Sequence, residues 1–156
     1  MQDAGEGAQA FELDRFLPYL LNQAAEAASR SFQAVYRAEY GMTRTQWRVM
    51  AHLGRFGALT AADICRRSHV EKTKVSRAVA AMSARGWLGR VRLAEDRRRE
   101  SLSLTPEGRR VFDHLGRLAA AHDGALRARL GRGHADALEA GLRRLLEIEG
   151  RDGPGP

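Results

Sequence analysis

The stretch HVEKTKVSRAVAAMSARGWL, residues 69–88, decides the fold that this sequence predicts. Its pattern predicts a helix over about residues 71–84 that ends at Gly86, because glycine readily adopts the backbone conformation that stops a helix. Three apolar residues recur at the i, i+4, i+7 spacing of one helical face, and we expect that face to lie in the core. They are Val75, Val79 and Met82.

The opposite face of this helix is polar and cationic in its N-terminal half and small further on. It carries Thr73, Arg77, Ala80 and Ala84, flanked by Lys74 and Ser76, with Lys72 at its N-terminal edge. The major groove of DNA admits one helix, and recognition helices read bases with residues near their N-terminus. Both lysines of the chain, among 26 Lys and Arg residues, therefore fall where DNA contact is expected.

Two further helices are predicted before this one. Thr43-x-x-Gln46 is a capping box that opens a helix reaching about Phe56. Thr60-x-x-Asp63 is a second capping box, which opens a short helix over residues 61–67.

A β-hairpin is predicted after the third helix. Beyond Gly86 the apolar period becomes two, which indicates strands over residues 87–93 and 101–104 around the charged turn AEDRRRE. The order helix, helix, helix, hairpin predicts a mainly α fold with a small β-hairpin wing, a winged helix-turn-helix over residues 42–105.

Long amphipathic helices flank this unit. Apolar residues at steps of three and four predict one helix over residues 11–41, with Pro18 near its first turn and Gly41 at its end. Thr105-Pro106 begins another, and the two helices of residues 106–149 are separated at Gly131-Arg132-Gly133. Their apolar faces predict dimerisation with a second copy of the chain. Residues 1–10 and 150–156 are expected to be disordered tails.

Charge and composition favour a polyanionic partner. The 156 residues suit one domain, and 26 Lys plus Arg against 19 Asp plus Glu give a net charge of +7. Most of the excess falls between Cys65 and Glu100, which predicts double-stranded DNA as the partner. No apolar run could span a membrane and the acidic N-terminus lacks the pattern of a signal peptide, so a cytoplasmic protein is expected.

The predicted wing supplies a second DNA-contacting element. Three consecutive arginines at its turn suit the narrow, negative minor groove. Asp96 is close enough to pair with Arg98 and fix its direction, or it simply begins the turn. The predicted DNA-contacting residues are Lys72, Thr73, Lys74, Ser76, Arg77, Arg90, Asp96, Arg97, Arg98 and Arg99.

Over about residues 12–148 the sequence resembles the MarR regulators, named for multiple antibiotic resistance. The resemblance rests on TRTQWRVMAHL, on EKTKVSRAVAAMSARGWL and on EDRRRESLSLTPEG, where the Asp-x-Arg pattern of the family falls on Asp96 and Arg98. It implies a homodimer joined by its terminal helices and a small-molecule pocket between that interface and the DNA-binding lobes. It also implies a repressor that a phenolic or carboxylate ligand releases from a palindromic operator.

The candidate ligand-binding residues are one cation and three rings. Arg15 could meet a carboxylate, while Tyr19, Trp47 and His52 could line a pocket of aromatic size, although Trp47 also suits the core and Arg15 the surface.

Other functions remain open to different degrees. Cys65 suits a small buried helix residue, but Arg66 and Arg67 beside it keep a redox-responsive regulator as an alternative. The five histidines are scattered without metal-ligand spacing, so no metal or other cofactor is expected. No phosphate loop or nucleophile elbow indicates an enzyme. A non-specific architectural DNA-binding protein remains a further alternative to a sequence-specific regulator.

Overall fold

The computed structural model describes residues 11–151, which form six helices around a three-stranded sheet. The helices are α1 Leu17–Tyr40, α2 Arg44–Phe56, α3 Ala61–Ser68, α4 Lys72–Ala84, α5 Pro106–Leu130 and α6 Arg132–Arg151. The strands are β1 Leu59–Thr60, β2 Leu88–Arg92 and β3 Glu100–Leu104. The predicted class, mainly α with a winged helix-turn-helix, is confirmed.

Helix α1 begins later than the sequence pattern predicts. A short 3-10 turn, Leu13–Arg15, precedes it, and the helix begins only at Leu17. Pro18 explains the difference, because proline lacks the N–H that a longer helix would need and its ring clashes with the preceding turn. Gly41 ends α1 as predicted, in the left-handed region at φ 59°.

Both predicted capping boxes are present. The Thr43 hydroxyl accepts the Gln46 N–H at 3.2 Å while the Gln46 side chain accepts the Thr43 N–H at 3.0 Å. Thr60 and Asp63 make the same reciprocal pair at 3.1 and 3.0 Å. These local bonds satisfy N–H groups that the first helical turn leaves free, so they fix where α2 and α3 begin.

The wing contains a strand that was not predicted. Strand β1 pairs antiparallel with β3, with Leu59 opposite Leu102, and gives the sheet order β1-β3-β2. The predicted hairpin is confirmed, with Leu88 opposite Leu104 and Arg92 opposite Glu100. Because β1 leads directly into α3, this pairing holds the start of α3 against the wing.

The core lies between the second half of α1, the winged helix-turn-helix and the first half of α5. The largest fully buried side chains are Tyr36, Met42, Met50, Leu53, Ile64, Met82, Leu102, Leu115, Val49 and Val75. Gly108 of α5 approaches the wing base so closely that an added Cβ would overlap the Trp87 carbonyl oxygen. The side chain of that position is therefore limited to hydrogen.

A cluster of edge-on aromatic rings connects the end of α1 to the base of the wing. The Tyr40 ring lies edge-on to Trp87, with centroids 6.0 Å apart, and also edge-on to His114 of α5 at 6.1 Å. The Arg85 guanidinium lies 3.7 Å from the centroid of the Trp87 ring and donates to the Tyr40 carbonyl. His114 in turn contacts the Glu39 carboxylate.

Helices α5 and α6 are separated by Gly131 alone, rather than by the three residues predicted. Arg127 joins them by an ion pair to Glu139 at 2.8 Å. Helix α6 continues to Arg151, so the predicted tail from residue 150 is wrong for its first two residues. The predicted tails at 1–10 and 152–156 lie outside the described residues.

Many large apolar side chains of the long helices remain exposed in a single chain. They are Leu17, Leu20, Leu126, Leu130, Leu138, Leu142, Leu146 and Ile148, with Phe11, Leu13 and Phe16 before α1. Within residues 11–151, no helix is both long and apolar enough to cross a membrane.

Candidate nucleic-acid interface

Helix α4 buries one face and exposes the other as the sequence predicts. Val75, Val79 and Met82 are buried, and so is Ala78. The exposed side carries Lys72, Thr73, Lys74, Ser76, Arg77 and Ala80. The exposed surface of the helix is therefore polar and cationic over its first half, and the small residue Ala80 follows toward the C-terminus.

The N-terminus of α4 combines two sources of positive potential. Lys72 and Lys74 lie in the first turn, where the helix dipole is already positive. Glu71 faces Lys74 at 3.6 Å, but both side chains are mostly exposed and such a pair contributes little. Helix N-termini of this kind bind phosphate groups through their free N–H groups.

The turn of the wing exposes three arginines. Asp96 shapes this turn, since its carboxylate accepts the Arg98 N–H at 3.0 Å and its carbonyl accepts the Arg99 N–H at 2.9 Å. Among the described ion pairs none joins Asp96 to the Arg98 guanidinium. Asp96 therefore begins the turn and does not pair with the Arg98 side chain, because its carboxylate accepts the backbone N–H of Arg98.

A cleft of about 720 Å³ lies between α4, the start of α3 and the wing. It is lined by six cationic side chains and one acidic side chain, Glu100. The cations are Lys72, Arg90, Arg92, Arg97, Arg98 and Arg99. This imbalance gives the cleft a positive potential, which attracts polyanions.

The Arg90 guanidinium differs from those of its neighbours because side chains of the protein bind it. Its Nε donates to the Ser83 hydroxyl at 3.3 Å, and its Nη1 lies 3.2 Å from the Glu100 carboxylate. Arg90 therefore links the end of α4 to both strands of the wing.

A second, smaller site lies between α1 and α2. This effector groove, of about 290 Å³, is lined by Ala28, Ser29, Phe32, Tyr36, Arg44, Trp47 and Arg48. Trp47 stacks on Tyr36 with centroids 5.9 Å apart and meets Phe32 edge-on at 5.5 Å. Burial raises the pKa of Tyr36, against the smaller effects of Arg44 and Arg48, so the phenol keeps its proton at neutral pH. The groove combines flat apolar walls with two guanidinium groups.

The comparisons with known proteins agree on one family. A sequence model described as MarR family matches residues 40–99. A solved MarR family transcriptional regulator from Silicibacter pomeroyi is 31% identical and superimposes with a TM-score of 0.79, over 89% of this chain and 98% of that one. The chain belongs to the MarR family.

Other relatives are more distant. The transcriptional regulator FarR of Neisseria gonorrhoeae is 26% identical over 83% of this chain and 88% of its own length. The solved BpsR of Bordetella bronchiseptica, whose DNA binding is regulated by 6-hydroxynicotinic acid, is 21% identical with a TM-score of 0.76, over 88% of this chain and 97% of that one. At that identity the likeness to BpsR concerns the fold.

The cleft brings together six of the ten residues predicted to contact DNA. They are Lys72, Ser76, Arg90, Arg97, Arg98 and Arg99. Thr73, Lys74 and Arg77 lie on the exposed side of α4 but do not line the cleft, and Asp96 lies in the turn. DNA contact by each of the ten stays a prediction for this MarR protein.

The four residues predicted to bind a ligand do not meet within one chain. Only Trp47 lines the effector groove. Tyr19 precedes Phe32 by 13 residues on α1, about 20 Å along the helix axis, and Arg15 lies further away. His52 is five residues beyond Trp47, which is about 140° around α2, and its ring contacts Phe56 instead.

Several residues that line the two sites were not predicted from the sequence. Arg92 shares the Arg90 face of β2, and alternation along the strand could have identified it. Thr60 of β1 also lines the cleft, and the two residues of β1 are too few for a strand pattern; Ala61 and Ala62 line it from the first turn of α3. The effector groove is also lined by Arg44 and Arg48, which lie four residues apart on either side of Trp47 and were not predicted as ligand-binding residues.

Cys65 and the side chains that could bind a metal ion are the remaining candidates for a functional site. Cys65 is half-buried and packs against the core, in keeping with a small packing residue. Over residues 11–151, no three His, Cys, Asp or Glu side chains are grouped to hold a metal ion.

Proposed function

We propose that this MarR protein is a homodimeric repressor that binds a palindromic DNA operator and is released by a small aromatic acid. The observation that carries the proposal is the cleft in which the N-terminus of α4 faces the arginines of the wing. Such a cleft suits one helix in the major groove with arginines in the adjacent minor groove.

Dimerisation is supported by the exposed apolar side chains of α1, α5 and α6. Leu138 and Leu142 lie between two open apolar grooves, one against α1 and one against α5. Soluble monomers rarely expose apolar patches of that extent, and a second copy of the same surface would cover them. Two recognition helices would then reach half-sites about 34 Å apart, one turn of DNA.

The effector groove supports a ligand that is both flat and anionic. Phe32, Tyr36 and Trp47 offer aromatic surfaces, and Arg48 has no ion pair among the described residues. Because α1 and α2 form the groove, a bound ligand acts on the junction between the dimerisation helices and the DNA-binding lobe. Ligand and DNA would then lower each other's affinity by the same factor.

DNA binding is tested with operators selected from random duplexes by the purified protein. Affinity is measured for the selected and scrambled duplexes over several salt concentrations. Arg77→Ala should lose about 1–3 kcal/mol on the operator and relax the preference at one or two bases. Arg98→Ala should weaken binding to both duplexes and make the salt slope shallower by about 0.9 for each phosphate that the variant no longer neutralises.

Arg110→Ala is the matched control, since it removes an arginine that is paired with Glu107 on α5, outside the cleft. It should bind like the wild type. Equal affinity of the wild type for operator and scrambled DNA would instead identify an architectural protein.

The effector proposal is tested by adding small aromatic acids to the protein–operator complex. At least one should weaken operator binding tenfold, which corresponds to about 1.4 kcal/mol. If a broad set of such acids leaves affinity unchanged while oxidation of Cys65 lowers it, the redox alternative replaces the ligand.

A further inference from the structure

Glu26 holds one of the two arginines of the effector groove. The Glu26 carboxylate lies 2.7 Å from Nη1 of Arg44, across the junction of α1 and α2. Arg44 is only 28% exposed, and its Nε is buried without a hydrogen-bond partner among the described residues. The guanidinium is thus confined beside the aromatic wall with Glu26 as its counter-ion.

The two arginines that line the groove differ in whether a carboxylate of the protein pairs with them. The hydrogen bond and charge of Arg44 lower the pKa of Glu26, with smaller contributions from Arg30 and Arg48, so Glu26 is ionised at neutral pH. Arg48 lines the groove four residues after Arg44, and it is exposed. One lining cation is therefore neutralised by the protein and the other is available to a ligand.

We propose that Glu26 sets the charge selectivity of the effector groove, so that the groove accepts aromatic monocarboxylates and rejects aromatic dicarboxylates. This inference rests on the proposed effector function. Arg48 attracts one carboxylate, whereas a second carboxylate near Arg44 meets the negative charge of Glu26 in place of an unpaired cation.

The size of the effect follows from the repulsion between Glu26 and each ligand charge. Two unit charges roughly 6 Å apart at a partly exposed site interact strongly enough to change affinity by on the order of tenfold. Removing Glu26 should therefore improve binding of a monoanion somewhat and of a dianion more. The ratio of the two affinities should change by about tenfold.

The probes are benzoate and phthalate, which share a ring and differ by one carboxylate. Their dissociation constants are measured by calorimetry for the full chain and for Glu26→Gln, Glu26→Asp and Glu107→Gln. Glu107→Gln is the matched control, because it removes the same charge from an exposed Arg–Glu pair on α5. Circular dichroism and operator affinity verify that each variant is folded.

The expected result is a preference for phthalate over benzoate that rises about tenfold in Glu26→Gln only. Glu26→Asp keeps the charge and should retain the wild-type preference. If the ratio of phthalate to benzoate affinity is unchanged in Glu26→Gln, or rises equally in Glu107→Gln, the role of Glu26 is overturned. The effector groove itself remains supported in that case as long as benzoate binds. Failure of the wild type and all variants to bind either acid also overturns the selectivity proposed for Glu26, whereas the effector proposal is decided separately by the broad set of aromatic acids.

Discussion

His69 ends α3 with a backbone conformation that most side chains avoid. Its φ of 52° lies in the left-handed region, and it is the one such non-glycine residue between positions 11 and 151. His69→Gly should raise the free energy of unfolding by roughly 0.5–1 kcal/mol, because glycine adopts this region without steric strain. His69→Val should lower it by more than about 1 kcal/mol, since a β-branched residue is strained most there. Urea unfolding checks both, and equal stabilities would contradict the strain.

Asp63 links stability to pH at the start of α3. Hydrogen bonds from the Thr60 hydroxyl and N–H, then from Arg66, lower the pKa of Asp63 from 3.8 to about 2. A lowered pKa stabilises the fold above pH 3.8, and this stabilisation is lost as the pH falls toward 2. Its full value is at most about 2 kcal/mol. Urea unfolding of wild type and Asp63→Asn should show a difference at pH 7 that shrinks by pH 3, whereas a constant difference would contradict this cause.

Among the elements, the contact of α5 with the wing base depends on Gly108. Gly108→Ala should lower the free energy of unfolding by about 1–3 kcal/mol, because the Trp87 backbone must move to admit a methyl group. Gly116 is the matched control on the same helix, where an added Cβ meets no atom within 4 Å. Gly116→Ala should stabilise by up to about 1 kcal/mol through helix propensity. Thermal unfolding distinguishes them, and similar losses in both variants would contradict the close approach.

The elements also differ in how far the sequence could predict them. Capping boxes and strand alternation are local patterns, so the starts of α2 and α3 and the hairpin were predicted correctly. Strand β1 has two residues and exists only through its pairing with β3, which no local pattern records. Four of the seven groove residues lie on α1 and three on α2, and their meeting depends on how the two helices pack.

For the whole molecule, the exposed apolar face of α6 predicts a dimer that one charge can disrupt. Leu142→Glu should raise the dissociation constant of the dimer by about tenfold or more, because it buries an unpaired charge in the interface. Ala140→Glu is the control, since Ala140 lies on α6 outside both apolar grooves. Sedimentation should give a mass near 17.3 kDa for the first variant and twice that for the second. A wild type that sediments as a single chain at micromolar concentration would contradict the dimer.

The aromatic cluster at Tyr40 restricts how far the turn of the wing can move. Five residues of β2 at about 3.3 Å each place the arginine turn about 16 Å from Trp87. A tilt of about 10° at Trp87 would move the turn by nearly 3 Å, close to the roughly 3.4 Å by which successive phosphates of one DNA strand advance along the helix axis. The edge-on rings of Tyr40 and Trp87 restrict that tilt from the end of α1. If the wing binds DNA as we propose, the edge-on contact between these two rings limits which phosphates its arginines can reach.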